Sequence, residues 1–163
     1  MSYELDSLER VGVVGAGTMG SGIAQVSAMS GYEVVMRDIE PEFVENGFAT
    51  IENSLDRFVT KDKISEAEAD AAVERITGTT ELADLADADL VVEAAVEDME
   101  IKKDLFGTLD EMVDGETPLA TNTSTLSITT IASETERPER VVGIHFMNPV
   151  PIMEGVEIVV GEK

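Results

Sequence analysis

Apolar residues follow two different periods along the chain, and each period predicts one type of secondary structure. Short apolar runs predict buried strands over residues 11–14, 32–37, 89–95, 119–121, 141–145 and 156–160. Between them, apolar residues recur every three to four positions, which predicts helices over residues 18–30, 41–58, 65–76, 98–113 and 127–133. Strands and helices therefore alternate, and no Asn-Gly hairpin turn joins two strands. This order predicts an α/β fold with a mainly parallel sheet and helices on both of its faces.

The same spacing predicts which side chains of three helices face the core. They are Phe43, Phe48, Ile51, Leu55 and Phe58 in one helix, Ala69, Ala72, Val73 and Ile76 in the next, and Ile101, Leu105, Leu109 and Met112 in the third. The sequence Ser65-Glu-Ala-Glu68 has the form of a capping box, which predicts where the middle helix begins. A length of 163 residues suits a single domain.

Residues 11–32 contain no charged side chain, although 28% of the chain is charged. A run of this length is sufficient for a transmembrane helix. Its glycines, together with Thr, Ser and Gln, would make a poor lipid-facing surface. The run is better explained as a strand, a glycine turn and a helix that ends at Gly31.

The glycine turn Gly15-Ala-Gly17-Thr-Met-Gly20 matches G-x-G-x-x-G. In this motif the first glycine permits a tight turn, the second lets a pyrophosphate approach the backbone, and the third lets the helix pack close to the sheet. Free N–H groups of the first helical turn, at Thr18 and Met19, are expected to bind the phosphate oxygens. Because the motif follows a predicted strand and opens a predicted helix, it predicts dinucleotide binding; a glycine turn with another role is the alternative.

Asp38 lies at the end of the second predicted strand, at the usual distance beyond the glycine turn. There a carboxylate accepts hydrogen bonds from the ribose hydroxyls and repels a 2′-phosphate, which favours NAD over NADP as the cofactor. The neighbouring Arg37 is a cation that would tolerate this phosphate, so NADP stays open at this point. Asp38 also suits a plain turn.

The chain has 34 acidic and 11 basic residues, which give a net charge of −23. Such a surface repels phosphate backbones and anionic headgroups, so we expect no binding to nucleic acid or membranes. The absence of Cys excludes disulfides and a Cys nucleophile, and with one His we expect no metal site. Because the acids are spread along the chain, we expect a halophilic, cytoplasmic protein that needs salt to screen them. No signal peptide is predicted at the N-terminus.

His145, the single histidine, lies at the carboxyl end of a predicted strand, where ligands bind in doubly wound sheets. Oxidation of an alcohol by NAD needs a base for the hydroxyl proton, and His titrates near neutrality. His145 is therefore a candidate base, with a packed structural histidine as the alternative. Glu157, on the next strand, is a candidate to stabilise its imidazolium, although position alone does not separate it from other acids. Ser124 has a hydroxyl that would bind a substrate oxygen or cap the following helix.

Four segments, GVVGAGTMGSGIA, DLVVEAAVEDMEIKKDLF, ATNTSTLSIT and GIHFMNPVPIMEGVEIV, resemble the NAD-binding domain of 3-hydroxyacyl-CoA dehydrogenases. The resemblance runs from about residue 9 to residue 160. It implies a Rossmann-type doubly wound fold and NAD as the cofactor. It further implies oxidation of the 3-hydroxyl group of an L-3-hydroxyacyl-CoA to 3-ketoacyl-CoA, a β-oxidation step that also runs in reverse.

The resemblance implies roles for single residues. His145 matches the general base, Glu157 matches its paired acid, and Ser124 matches a serine that binds substrate beside the nicotinamide. Further cofactor contacts are implied for Glu97, Lys102 and Asn148. Further contacts to the CoA part of the substrate are implied for Ser54 and Lys61.

The resemblance covers only part of the family's pattern. In the family a further helix and strand follow, and then a helical domain that forms most of the dimer interface and closes over the substrate. We therefore expect residues 1–163 to be an NAD-binding domain truncated at its C-terminal end, acting in a homo-oligomer or with a partner that supplies the helical domain. Met153-Glu-Gly-Val156 replaces the commoner Met-Lys-Leu-Val. A non-catalytic NAD-binding subunit and a related hydroxy-acid dehydrogenase are the alternative functions.

Overall fold

The computed structural model describes residues 7–162, which form one seven-stranded sheet with helices packed on it. The strands are β1 (Arg10–Val14), β2 (Glu33–Arg37), β3 (Ile76–Thr79), β4 (Leu90–Glu93), β5 (Leu119–Thr121), β6 (Val141–Phe146) and β7 (Val156–Val160). Their order is β3-β2-β1-β4-β5-β6-β7, with β7 antiparallel to β6 and the other pairs parallel. The predicted doubly wound, mainly parallel fold is thereby confirmed. Residues 1–6 and 163, which the predicted domain includes, lie outside the described part.

Helices cover both faces of the sheet within the described residues. They are α1 (Thr18–Met29), α2 (Pro41–Thr60), α3 (Glu66–Glu74), α4 (Met99–Met112) and α5 (Ile128–Ala132). Helices α1, α2 and α3 contribute to the apolar core on one face, and α4 and α5 contribute to the core on the other. Between residues 7 and 162 no helix is both long enough and apolar enough to cross a membrane.

The cores follow from the alternation of side chains along the strands. Val13 and Met36 are fully buried on the face covered by α1 and α2, where they belong to the same cluster as Ile23. Val14 and Phe106 belong to the cluster on the opposite face. Because burial of one such side chain contributes about 1.5–3 kcal/mol, both layers hold the strand ends in fixed positions.

The predicted capping box is present at the start of α3. The Ser65 hydroxyl accepts a hydrogen bond from the Glu68 N–H at 3.1 Å, and the Glu68 carboxylate accepts one from the Ser65 N–H at 2.8 Å. The bond from the Ser65 N–H holds the pKa of Glu68 below its usual value. The reciprocal bonds satisfy two N–H groups at the helix terminus and fix where α3 begins.

Three predicted helix positions are wrong. Ile76 does not continue α3 but begins β3, a strand that the sequence analysis did not predict. Phe43 and Ile101 are 44% and 49% exposed, because the buried positions beside them are taken by Val44 and Lys102. The inner face of each helix is therefore displaced by one residue from the predicted face at these points.

Candidate active site

The glycine turn connects β1 to α1 at the carboxyl edge of the sheet. Gly15 has a φ of +106°, and a Cβ at this position would lie 2.6 Å from the carbonyl oxygen of Ala94. A Cβ on Gly20 would lie 1.9 Å from the carbonyl oxygen of Gly15. A Cβ on Gly17, in contrast, would meet no atom within 4 Å. The turn is thus closely packed on its protein side and open at Gly17.

The open side of this turn fits a dinucleotide pyrophosphate. No side chain caps the N-terminus of α1, so the first N–H groups, at Thr18 and Met19, remain available to an anion. The space at Gly17 is what a phosphate needs in order to approach the backbone, and a side chain there would fill it. The structure thereby provides the anion cradle that the motif predicts.

Asp38 is fixed beside the glycine turn. Its Oδ2 accepts a hydrogen bond from the Ala16 N–H at 2.8 Å, and its Oδ1 accepts one from the Ile39 N–H at 2.7 Å. Each carboxylate oxygen has a further lone pair for a ribose hydroxyl. The neighbouring Arg37 donates from Nε to the carbonyl oxygen of Thr80 at 3.1 Å, which holds its guanidinium against the end of β3. This arrangement suits an unphosphorylated ribose at Asp38.

His145 and Glu157 lie directly opposite each other in the antiparallel pairing of β6 with β7. His145 Nδ1 is 3.1 Å from Glu157 Oε2, and the two side chains are 27% and 64% exposed. Among residues 7–162 no hydrogen-bond partner is found for His145 Nε2. With Nδ1–H donating to Glu157, Nε2 carries the lone pair and is free to accept a proton. The structure brings this predicted pair into contact; its catalytic role stays a prediction.

The loop after β5 lies beside His145. Asn122 Oδ1 accepts a hydrogen bond from the Phe146 N–H at 2.8 Å and so joins the ends of β5 and β6. Ser127, not Ser124, is the N-cap of α5. The capping alternative for Ser124 is therefore wrong, and this exposed serine keeps its hydroxyl for another partner.

A buried ion pair lies below the loop between β4 and α4. The Lys102 ammonium contacts the carboxylate of Glu93, and both side chains are completely buried. The ammonium also lies 3.3 Å from Glu97 Oε1, and the Glu97 side chain is half exposed. Glu93 is not among the predicted site residues. The resemblance implies a cofactor contact for Lys102, whose ammonium the structure places in the interior, where burial requires a carboxylate partner.

Glu97 reaches the surface at the carboxyl edge of the sheet. Its Oε2 accepts hydrogen bonds from the hydroxyls of Thr123, at 2.6 Å, and Thr125, at 3.2 Å. Partial burial raises the pKa of Glu97, but the hydrogen bond from Thr123 and the charge of Lys102 outweigh burial and leave this pKa below its usual value. Glu97 is therefore an ionised hydrogen-bond acceptor near neutral pH.

A cavity of about 290 Å³ lies between α1, α2 and the loop after β6. Three predicted site residues, Ser54, Lys61 and Asn148, line it together. Two further cations, Arg57 and Lys63, which the sequence analysis did not select, line it as well. The cavity therefore gathers positive charge on a strongly acidic protein.

Sequence comparison agrees with this arrangement. Residues 10–163 match the family model described as "3-hydroxyacyl-CoA dehydrogenase, NAD binding domain". A 3-hydroxybutyryl-CoA dehydrogenase from Bradyrhizobium diazoefficiens is 47% identical over 154 residues, which are 94% of this chain and 53% of that protein. A 3-hydroxyadipyl-CoA dehydrogenase from Escherichia coli is 44% identical over 155 residues, which are 95% of this chain and 33% of that protein. The chain spans about half the length, or less, of these curated relatives.

Structural comparison leads to the same group of proteins. The crystal structure of (S)-3-hydroxybutyryl-CoA dehydrogenase from Ralstonia eutropha superimposes with a TM-score of 0.93 at 46% identity, over 95% of this chain and 55% of that one. The NAD-binding description of the matching family confirms the predicted cofactor. The chain belongs to the 3-hydroxyacyl-CoA dehydrogenase family, whose NAD-binding domain corresponds to residues 10–163.

Proposed function

We propose that residues 1–163 act as the NAD-binding domain of an enzyme that oxidises the 3-hydroxyl group of an L-3-hydroxyacyl-CoA to a 3-keto group, a step of fatty-acid β-oxidation, or that catalyses the reverse reduction. The observation that carries the proposal is the contact between His145 and Glu157. This contact lies at the carboxyl ends of the parallel strands, where the glycine turn also lies. A base and a dinucleotide site therefore share one crevice.

In this proposal, side chains of this chain accept the proton of the substrate hydroxyl. His145 Nε2 accepts the proton of the substrate hydroxyl, and the Glu157 carboxylate stabilises the imidazolium that results. The Ser124 hydroxyl donates a hydrogen bond to the substrate oxygen and orients it toward His145. A bound NAD supplies the hydride acceptor. The cofactor is held by the glycine turn with Thr18 and Met19, by Asp38, and on its nicotinamide side by Glu97 and Asn148. The buried Lys102 acts there through its contact with Glu97.

We assign the CoA part of the substrate to the cavity between α1 and α2. Its cations suit the CoA phosphates, and its apolar lining, which includes Phe58, Val150 and Ile152, suits the uncharged arm that links CoA to the acyl group. Lys61→Ala should lower CoA affinity by about tenfold, the effect of losing one charge-assisted hydrogen bond. Calorimetric titration with CoA measures it.

Lys103→Ala is the matched control for this substitution. Lys103 lies within α4, pairs with Glu134 at 3.0 Å and does not line the cavity. We expect its CoA affinity to equal that of the unmodified chain. Equal losses in the two variants would show that net charge, not the cavity, determines affinity.

We also propose that a helical domain completes the site and that the protein acts as a homo-oligomer or with a partner chain. Support comes from the length of the relatives and from β7, whose residues are all exposed and include Val156, Ile158 and Val160. The test follows NADH formation from 3-hydroxybutyryl-CoA in concentrated KCl, with and without a candidate helical chain. Activity in either case supports the dehydrogenase. No activity in both, with NAD binding intact, supports a non-catalytic NAD-binding subunit instead.

We further propose that the protein works in a salt-rich cytoplasm. A groove between α2 and α3 illustrates the reason, because Glu52, Asp56, Asp70 and Glu74 line it together. Screening reduces such repulsion, since the Debye length falls from about 30 Å at 0.01 M salt to about 3 Å at 1 M. We expect the melting temperature to rise by about 5–10 °C between dilute and molar KCl, or about 2–3 kcal/mol. A melting temperature that does not depend on KCl would contradict the proposal.

A further inference from the structure

Glu93 is the last residue of β4, and its buried carboxylate joins three parts of the chain. One oxygen accepts hydrogen bonds from the Lys102 ammonium on α4 and from the Ala95 N–H at 3.0 Å. The other accepts a hydrogen bond from the Thr121 hydroxyl, at the end of β5, at 2.7 Å. Because the Glu93 side chain is completely buried, its carboxylate reaches no water and depends on these three partners.

Two hydrogen-bonded paths lead from Glu93 to Glu97. The first passes through the Lys102 ammonium, which contacts both carboxylates. The second passes through Thr121, whose hydroxyl accepts a bond from the Thr123 N–H at 3.3 Å, and then through the Thr123 hydroxyl, which donates to Glu97. The five residues form a closed ring, which includes the backbone N–H of Thr123, and Glu97 is the member that reaches solvent.

The ring lies on the nicotinamide half of the crevice. The glycine turn follows β1 and Asp38 follows β2, so the adenosine and pyrophosphate bind on that side of the point where the strand order reverses. The ring follows β4 and β5, on the same side of this point as His145 at the end of β6. Glu97 is therefore placed to contact the part of NAD that adenosine diphosphate lacks.

The buried pair is hard to explain by stability alone. Desolvation of two charges is costly, and well-packed apolar residues often replace such pairs without loss of stability. What the ring provides is one fixed position for an otherwise mobile surface side chain. We propose that Glu93 is a positioning residue, which holds the Glu97 carboxylate toward the nicotinamide riboside through Lys102 and the two threonines. This inference rests on the proposed binding of NAD.

The test compares the affinities for NAD and for adenosine diphosphate by calorimetry in one KCl buffer. Glu93→Gln keeps the size of the side chain but removes its charge. We expect NAD affinity to fall by about tenfold, as for one charge-assisted hydrogen bond, and adenosine diphosphate affinity to stay within about twofold. Asp110→Asn is the matched control, because Asp110 is buried and pairs with Arg137 at 2.8 Å, near the amino end of β6. It should change neither affinity.

A milder pair of variants keeps the test informative if Glu93→Gln does not fold. Thr121→Val removes the hydroxyl of the ring and should weaken NAD binding selectively, whereas Thr121→Ser keeps the hydroxyl and should restore it. Equal losses for both nucleotides, or no loss in any ring variant, would overturn the role of Glu93. If the unmodified chain binds neither nucleotide, the proposed function fails, and the inference fails with it.

Discussion

Replacement of Gly17 by valine is expected to lower NAD affinity by at least about 100-fold, equivalent to about 2.7 kcal/mol, without lowering the melting temperature. The added side chain would occupy the space through which the pyrophosphate approaches the backbone. The fold should tolerate it, because a Cβ on Gly17 meets no atom within 4 Å and its φ of −72° is open to any residue. Calorimetric titration with NAD and thermal denaturation give the two readouts.

Two other glycines serve as controls for Gly17→Val. Gly155, before β7, also has nothing within 4 Å of an added Cβ, so Gly155→Val should affect neither NAD affinity nor folding. Gly20→Ala should destabilise the fold, because its Cβ would overlap the carbonyl oxygen of Gly15. Retention of NAD affinity within tenfold by Gly17→Val would show that no phosphate binds at this turn.

The sequence predicted the glycine turn because its geometry depends on neighbouring residues. The motif, its strand and its helix are contiguous, and both Gly15 and Gly20 are required by contacts made within or beside the turn. The contact between His145 and Glu157 was predicted only through the resemblance, because position alone does not separate Glu157 from the other acids. The contact depends on the antiparallel register of β6 and β7, which places the two residues opposite each other on one face.

Features that depend on distant residues were not predictable in this way. Strand β3 has four residues, of which only Ile76 is buried, so its pattern does not differ from a helix end. Lys102 is buried where a helical pattern placed Ile101, because the carboxylate of Glu93 on β4 compensates its charge. Arg57 lines the cavity together with residues of α1 and of the loop that follows β6, which are distant from it in the sequence. Each case needs tertiary contacts that spacing along the chain does not encode.

His145→Ala should lower the turnover of the completed enzyme by about 10²–10⁴-fold, the usual contribution of a general base. NAD affinity should stay within about twofold, because the glycine turn and Asp38 are untouched. Glu157→Gln keeps the size of the acid but removes its charge, so its loss of turnover should lie between those of the unmodified chain and His145→Ala. Steady-state rates of NADH formation and NAD titrations measure both effects. Turnover that survives His145→Ala would assign the base to another group.

Identifying the tautomer of His145 tests its contact with Glu157 without a measurement of turnover. Since the chain contains one histidine, its imidazole nitrogens give a single set of ¹⁵N signals. With Nδ1–H donating to Glu157, the neutral ring should carry its proton on Nδ1 and leave Nε2 as the base. In Glu157→Gln the amide has a donor as well as an acceptor, so the Nε2–H tautomer should become populated. A neutral ring protonated mainly on Nε2 in the unmodified chain would be unable to accept a proton toward the crevice, and the proposed mechanism would be wrong.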